Sequence, residues 1–209
     1  MTGWWSALLA FGGVALARLR EEFDDKALVE LARKQDAEGK DAFGVLVERH
    51  QEWLVSFLAH MISSRTDAEE LAQNVLVRAF FALPRFRGEA SFRTWLRTIA
   101  TREAFSFYRK RGETPTPVED LDSFSSTEAP AQRQVAEREA IKHCLNRVPY
   151  PYREILVLRY IEELSLEEIG EALDLGKSAT KMRLKRAREF FQEAYSDLDA
   201  PHMSGEQEP

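Results

Sequence analysis

The chain has 209 residues, of which 44% are hydrophobic and 31% are charged, and its formal net charge at pH 7 is −6. This composition supports folded cores in one large or two small domains, and it excludes a mostly disordered or collagen-like chain. The single cysteine, Cys144, excludes a disulfide framework and a zinc site built from several thiolates, and it is typical of a reducing cytoplasm.

The net charge conceals two basic stretches. Residues 85–111 carry eight basic and two acidic side chains, and residues 177–188 carry six basic side chains and no acidic one. Together they contribute +12, whereas the rest of the chain contributes −18. A phosphate backbone responds to charge within about 8–10 Å, so the acidic total does not exclude nucleic acid as a partner. The alternative interpretation is that both stretches are solvated helix faces.

The N-terminal segment is apolar. Residues 1–17 contain no charged side chain and precede Arg18 and Arg20. No positive region precedes the apolar run, which argues against a signal peptide, and the run is at the short limit of the about 17–25 residues that span a membrane. We expect residues 1–23 to form an apolar N-terminal extension. A membrane contact through residues 1–20 is an alternative that the flanking arginines permit but that we do not favour.

Helical periodicity dominates residues 24–111, the first predicted domain. Apolar side chains in residues 43–61 recur at three- and four-residue steps, the spacing of one helix face. The next helix is predicted to begin at Thr66 or Asp67 and to be stopped by Pro84. No strand is predicted in this domain.

A loop at residues 86–91 leads to a helix that is predicted from Phe92 to about Arg111, with Ser91 as its N-cap. Aromatic side chains and arginines are interleaved throughout this stretch. Aromatic rings stack on unpaired bases and arginines follow the phosphate backbone, so the loop and the helix after it predict a site for single-stranded DNA. The alternative is that the aromatic rings are core, which we expect for about half of them.

Residues 112–133 contain three of the eight prolines and an excess of acidic side chains. Such a segment buries too little apolar surface to offset the entropy of ordering it, so it is predicted to be a flexible acidic linker. The linker separates the first domain from a smaller one at residues 134–195, which a tail at residues 196–209 follows.

The smaller domain is also predicted to be helical. Helices are expected at residues 135–146 and 153–161, and Ser165 and Glu168 have the spacing of a capping box that opens a third helix ending near Leu173.

A turn at residues 174–176 then leads to a fourth helix with Ser178 as its predicted cap. Its inward face is predicted to carry the following residues: Thr180, Leu184, Ala187, Phe191 and Ala194. A short helix, a tight turn and a second helix with a basic exterior are the pattern of a helix-turn-helix, whose second helix enters the major groove of DNA. Short αα-hairpins of enzymes give the same pattern, and this alternative stays open on the spacing alone.

Motifs for catalysis, metal binding and cofactor binding are missing from the sequence. It has no glycine-rich phosphate loop, metal-spaced histidine pair or Gly-x-Ser-x-Gly turn. The scattered histidines, His50, His60, His143 and His202, are expected to be satisfied polar residues, and Cys144 to be a buried structural thiol. We therefore predict no catalytic residue, no metal and no cofactor.

Two blocks of sequence resemble the extracytoplasmic-function (ECF) group of bacterial RNA polymerase sigma factors. In the first block the motifs are DAEELAQ at residues 67–73 and ALPRFRGEASFRTWLRTIA at residues 82–100. In the second they are VPYPYREILVLRYIEELSLEEIGEAL at residues 148–173 and KMRLKRARE at residues 181–189. The resemblance covers about residues 24–194. It implies an all-α fold of two small helical domains, the second with a helix-turn-helix, and a sigma factor that directs core polymerase to promoters.

The resemblance also implies three sets of binding residues. Those for the clamp helices of the polymerase β′ subunit are Asp67, Glu70 and Gln73. Those for the minus-ten element are Phe86, Arg87, Gly88, Glu89, Ser91, Arg93, Trp95, Arg97 and Arg102. Those for the minus-35 element are Lys177, Ser178, Lys181, Met182, Arg183, Lys185, Arg186 and Arg188.

The implied partners are bacterial core RNA polymerase, through its β′ clamp helices and β flap, promoter DNA and an anti-sigma factor. The implied location is the cytoplasm. Two other classes of function stay open at this point. A helix-turn-helix regulator that binds operators without polymerase would leave the helix at residues 67–73 without a role, and an enzyme with a similar hairpin would lack any pair of nucleophile and base.

Overall fold

The computed structural model of the chain describes residues 19–62, 64–111 and 130–199. Over these residues all regular elements are helical, which confirms the predicted all-α class. The described residues form two compact units: one extends to Ala59 and resumes at Ser64–Phe107, and the other holds the end of the helix before Ser64 and the residues from Tyr108 onward. The predictions for the first 18 residues, for most of the linker and for the last ten residues lie outside the described residues.

Among the described residues, residues 19–22 are helical and four further helices follow in or from the first unit. They are α1 (Asp25–Ala32), α2 (Ala37–Ile62), α3 (Arg65–Ala82) and α4 (Phe92–Arg111), and a single 3₁₀ turn (Leu83–Arg85) follows α3. The last residues of α2 and of α4 belong to the second unit.

The ends of these helices follow from local capping. The hydroxyl of Ser64 accepts a hydrogen bond from the backbone N–H of Asp67 at 3.3 Å, so α3 begins one residue before Thr66 and not at Thr66 or Asp67. The predicted stop is close to the observed one, because Pro84 lies in the 3₁₀ turn after α3. Ser91 caps α4 as predicted, since its Oγ accepts a hydrogen bond from the N–H of Thr94 at 3.1 Å.

Leucines and one phenylalanine form the core of the first unit. These side chains, all with less than 2% of their surface exposed, are Leu28, Leu46, Leu54, Phe57, Leu58, Leu83 and Leu96. Burying one side chain of this size stabilises a fold by about 1.5–3 kcal/mol. Leu83 in the 3₁₀ turn and Leu96 on α4 belong to this core, so the core fixes the chain on both sides of the loop at residues 86–91. The Arg78–Glu103 ion pair, with 3.2 Å between nitrogen and oxygen, joins α3 to α4 at the surface.

The second unit contains α5 (Pro130–Arg147), α6 (Tyr150–Leu156), α7 (Leu166–Leu173) and α8 (Lys177–Asp199). A π-helical turn (Val157–Ile161) extends α6. Helix α8 packs against the other three helices. Helix α5 begins inside the segment that was predicted to be linker, and α6 begins three residues before the predicted start at Arg153.

The turn between α7 and α8 is tight. The capping box at the start of α7 is confirmed: Ser165 Oγ accepts from the N–H of Glu168, and the carboxylate of Glu168 accepts from the N–H of Ser165 at 2.8 Å. The turn lies so close to α7 that a Cβ on Gly170 would lie 2.9 Å from the carbonyl oxygen of Leu175, and it would lie 3.3 Å from Oγ1 of Thr180 on α8. The predicted cap of α8 is wrong, because the helix begins at Lys177 and Ser178 already lies within it.

Two charged residues are buried in α6. The Arg153 guanidinium donates hydrogen bonds to the carbonyl oxygens of Asn146 and Val148 at 2.6 and 3.0 Å. The hydroxyl of Tyr150 donates to Glu154 Oε1 at 2.8 Å. Burial raises the pKa of Glu154 to about 7, although this hydrogen bond and the charge of Arg183 act in the opposite direction.

The substitution Glu154→Gln is expected to remove a pH-dependent part of the stability of the second unit. Because folding raises the pKa of Glu154 from 4.5 to about 7, its contribution to the unfolding free energy is fully present below pH 4.5 and is lost as the pH rises through 7. The unmodified chain loses roughly 3 kcal/mol of unfolding free energy in this way, whereas the variant does not, because glutamine does not titrate. In urea unfolding, the unfolding free energy of the variant relative to that of the unmodified chain should therefore be higher at pH 8 than at pH 5. An equal difference at both pH values would contradict this account.

Candidate nucleic-acid interface

Helix α8 exposes the basic side chains that the sequence assigns to duplex DNA. Thr180, Leu184 and Ala187 are buried, so the inward face is as predicted. Arg183 is half-buried, and the other residues of the predicted set are exposed: Lys177, Ser178, Lys181, Met182, Lys185, Arg186 and Arg188. The buried inward face, which we call the apolar seam, thus fixes the rotation of α8 about its own axis. Most of the positive charge of residues 177–188 therefore faces solvent.

The exposed cations of α8 meet few carboxylates. Lys177 lies 3.2 Å from a carboxylate oxygen of Glu167 on α7, and Lys185 and Arg186 each lie 3.9 Å from Glu189. A hydrogen bond from its own backbone and the Lys177 ammonium lower the pKa of Glu167, which keeps it charged. These pairs are exposed and screened by solvent, so a phosphate group can replace the carboxylates.

Arg188 differs from the other cations of α8. Its Nε donates a hydrogen bond to the hydroxyl of Tyr160 at 2.7 Å, and its guanidinium lies 5.8 Å from the centre of the same ring. Tyr160 is itself 54% exposed. Arg188 is therefore held against the π-helical turn that extends α6, whereas Lys181 and Arg186 extend into solvent.

The loop at residues 86–91 stands on packed aromatic rings. The ring of Phe86 is buried and stacks on Trp95 with 4.8 Å between centroids, and the buried ring of Phe92 lies 5.8 Å from Trp95. Above these rings the loop is exposed, and Gly88 has a φ of 75°, a conformation that favours glycine. The exposed part of the predicted site consists of Arg87, Gly88, Glu89 and Ser91, with Arg93 and Arg102 on α4.

Two residues of the predicted minus-ten set lie elsewhere than expected. Phe86 and Arg97 are 8% and 9% exposed, so neither presents its side chain to solvent. Phe86 is covered because its ring closes the core beneath the loop, and Arg97 lies on the side of α4 that carries the buried residues Leu96 and Ala100. Trp95 is half-buried and keeps part of its ring accessible.

Two residues of α2 that the sequence analysis did not assign to the site contact it. The Arg93 guanidinium lies 4.5 Å from the centre of the Trp53 ring, and Trp53 stacks on Phe57. One turn earlier, the His50 ring lies 5.2 Å from that of Phe92. The three-residue spacing of His50 and Trp53 places them in one row along α2, but the sequence does not show which helix that row faces.

His50 also belongs to a polar cluster. Its Nε2 lies 2.6 Å from Oδ2 of Asp25, and the other oxygen of Asp25 accepts a hydrogen bond from Arg49 at 2.9 Å. Partial burial acts to raise the pKa of Asp25, but the hydrogen bonds from Arg49 and His50 together lower it below its usual value. His50 is thus a satisfied polar residue, as the sequence predicted.

Helix α3 carries the predicted polymerase-binding residues. Leu71, Val75 and Ala79 are buried, while Glu70 and Gln73 are exposed. Asp67 is half-buried in the first turn of the helix. The polar stripe therefore lies off the core, as predicted.

The described part of the chain holds no cluster of histidine, cysteine and acidic residues suited to a metal ion. Cys144 is fully buried. None of the helices at residues 19–62, 64–111 or 130–199 has the length and apolar character that crossing a membrane requires.

Two family models match the chain, and each match coincides with one of the surfaces described above. Sigma-70 region 2 matches residues 46–114, which include the loop at residues 86–91 and the polar stripe of α3. Sigma-70 region 4 matches residues 138–191, which include α7 and the basic part of α8.

Characterised relatives cover most of the chain. The RNA polymerase sigma-H factor of Pseudomonas aeruginosa is 30% identical over 83% of this chain and 95% of its own length. The ECF RNA polymerase sigma-E factor of Escherichia coli K12 is 30% identical over 82% of this chain and 94% of its own length.

The chain also matches solved structures over most of its length. CnrH in complex with the cytosolic domain of CnrY is 26% identical, with a TM-score of 0.56 over 84% of this chain and 99% of its own. The sigma factor RpoE of Bartonella quintana in complex with the anti-sigma factor NepR is 26% identical, with a TM-score of 0.57 over 76% of this chain and 98% of its own. The chain therefore belongs to the extracytoplasmic-function group of RNA polymerase sigma factors.

Proposed function

We propose that this sigma factor directs core RNA polymerase to specific promoters by dividing the work between its two units. The observation that carries the proposal is the outward cationic face of α8, fixed by a buried apolar seam, in a chain whose total charge is −6. An anionic protein binds the DNA polyanion only through such local positive surfaces, and it gains from a partner that supplies further affinity.

Helix α8 is proposed to recognise the minus-35 element in the major groove. Lys181 and Arg186 extend into solvent, and such side chains bond to phosphates or to guanine edges. Met182, which is 70% exposed on the same helix, offers an apolar contact for a thymine methyl group. Arg188, held by Tyr160, is proposed to make a phosphate contact at the margin of this surface.

The loop at residues 86–91 is proposed to capture a base of the minus-ten element as the duplex opens. Removing a base from the stack costs a few kcal/mol, which contacts in the loop must offset. Arg87 and the exposed backbone at Gly88 are available for such contacts, and the exposed side chains of Arg93 and Arg102 are proposed to contact the strand. Phe86 and Arg97 are proposed to support the loop from beneath, since both are buried.

The polar stripe of α3 is proposed to bind the β′ clamp helices of the polymerase. Glu70 and Gln73 are exposed, and Asp67 contributes from the first turn. The second unit is proposed to meet the β flap, and an anti-sigma factor is proposed to cover these surfaces before activation. The solved structure of RpoE in complex with the anti-sigma factor NepR supports this last point.

We propose that the protein acts in the cytoplasm as a binding factor and not as an enzyme. Membership in a family of transcription initiation factors supports the second point, and the single cysteine of the chain supports the first. The minus-35 preference of relatives is not carried over to this chain, because Ser178, Ala179 and Thr180 stand at the start of α8 where the family often has Gly-Thr-Val.

A mobility shift with the full chain tests this function against a regulator that binds alone. Run-off transcription with reconstituted holoenzyme on genomic fragments first identifies a promoter. The sigma factor is expected to shift that promoter strongly only when core polymerase is added. Tight binding by the free chain to two half-sites about one helical turn apart would contradict the proposal and favour an independent regulator.

Glu70→Lys is expected to weaken binding to core polymerase by roughly tenfold or more, because it reverses the charge of an exposed residue of the α3 stripe. The measurement is the Kd for core polymerase by fluorescence anisotropy of the labelled chain. Glu30→Lys makes the same change of charge at an exposed residue of α1. It is the matched control and should leave the Kd unchanged. Equal Kd values for both variants would contradict the role of α3, provided that circular dichroism remains native.

Lys181→Ala and Arg186→Ala are each expected to weaken minus-35-dependent transcription. The loss is about 1–3 kcal/mol for a base contact, and it is smaller and independent of sequence for a phosphate contact. Lys142→Ala removes the same charge at an exposed residue of α5 and serves as the control. Transcription from promoters with and without the minus-35 element distinguishes the cases. An equal loss on both promoters would contradict base recognition by these side chains.

A further inference from the structure

The Asp25–His50 pair connects the N-terminal part of the chain to the floor of the loop at residues 86–91. A distance of 2.6 Å separates His50 Nε2 from Asp25 Oδ2, and the His50 side chain is 12% exposed. Its ring lies against Phe92, the first residue of α4. A buried imidazole with one fixed nitrogen has little freedom to rotate, so the pair determines the surface on which Phe92 rests.

Three ring contacts continue from His50 to the loop. The centroid distances are 5.2 Å from His50 to Phe92, 5.8 Å from Phe92 to Trp95 and 4.8 Å from Trp95 to Phe86, the residue at which the loop begins. Packed rings of this kind have few alternative arrangements, because interiors are close-packed. The ring contacts thus form a continuous path from His50 to Phe92 and Phe86, the residues that flank and begin the loop.

The Asp25 end of the pair is fixed independently of His50. Arg49 donates one hydrogen bond to Asp25 and two more to the carbonyl oxygens of Arg20 and Phe23, both at 2.8 Å. Asp25 lies before residue 46, where the match to sigma-70 region 2 begins, so this half of the pair is outside the family match.

We propose that His50, held by Asp25, is a positioning residue for capture of the minus-ten strand. The pair fixes Phe92 and Trp95, and these rings set the position of Phe86 and of the exposed loop that follows it. The inference rests on the proposed role of the loop at residues 86–91. It adds that the start of α1, where Asp25 lies, is part of the machinery for strand capture, although it lies far from the loop in sequence.

The test uses full-length chain in reconstituted holoenzyme. The probe is a fluorescent single strand that carries the non-template minus-ten sequence of a promoter mapped by run-off transcription. His50→Ala and Asp25→Ala are each expected to weaken binding of this strand by roughly three- to tenfold, since either change frees the ring stack. The double variant should lose no more than about twofold beyond either single one, because both residues act through the same contact.

Further variants separate positioning from general stability. Arg20→Ala removes the ion pair of Arg20 with Glu48, which joins the same segment to α2, but leaves Asp25 and His50 intact. It is expected to bind the strand like the unmodified chain. His50→Phe keeps a ring on Phe92 and should lose less affinity than His50→Ala. For all variants the Kd values for core polymerase and for a duplex minus-35 fragment should stay within about twofold.

Three outcomes would overturn the inference. The first is strand binding by His50→Ala and Asp25→Ala within twofold of the unmodified holoenzyme, and the second is an equal loss in Arg20→Ala. The third is a parallel loss of core and duplex binding, which would indicate a structural role only. Failure of the unmodified holoenzyme to bind the strand would instead overturn the proposed role of the loop, and this inference with it.

Discussion

Function in this acidic chain depends on the packing that keeps the lysine and arginine side chains of its small helical units exposed to solvent. In α8 the apolar seam of Thr180, Leu184 and Ala187 is buried. The lysines and arginines lie on the other faces of the helix and are therefore directed to solvent. Gly170 lets the turn and Thr180 lie close to α7, where a Cβ would meet both. The direction of the charge is thus a consequence of core packing, and the proposed recognition of DNA by α8 requires that this core be intact.

The loop at residues 86–91 follows a related principle with aromatic rings in place of an apolar helix seam. Its polar and flexible positions face solvent, while Phe86 and Phe92 are buried beneath them on either side of Trp95. A loop that must offset the cost of unstacking a base benefits from being ordered before the base arrives, because ordering it later would cost additional entropy. The contacts of Trp53 and His50 extend this support into α2.

Periodicity and capping chemistry are local, so they predicted most helices of the described residues. The capping box at Ser165 and the cap at Ser91 are clear cases, whereas α3 and α8 begin earlier than predicted. Helix α5 begins five residues before its predicted start, and α1 was not predicted as a separate helix. The burial of Phe86 and Arg97 and the Asp25–His50 pair could not be predicted, since they depend on how distant segments pack. Single-sequence patterns indicate which face of a helix is apolar but not its neighbour.

We propose that α8 lies on promoter DNA only when the chain is bound to core polymerase. A photoreactive benzoyl-phenylalanine at the position of Met182, which is 70% exposed on α8, tests this proposal, and the same group at exposed Ile141 on α5 is the control. We expect crosslinks from position 182 to the upstream promoter duplex in the holoenzyme, few from position 141, and few from the free chain at either position. Absence of crosslinks from position 182 in the holoenzyme, or equal crosslinking without core polymerase, would contradict it.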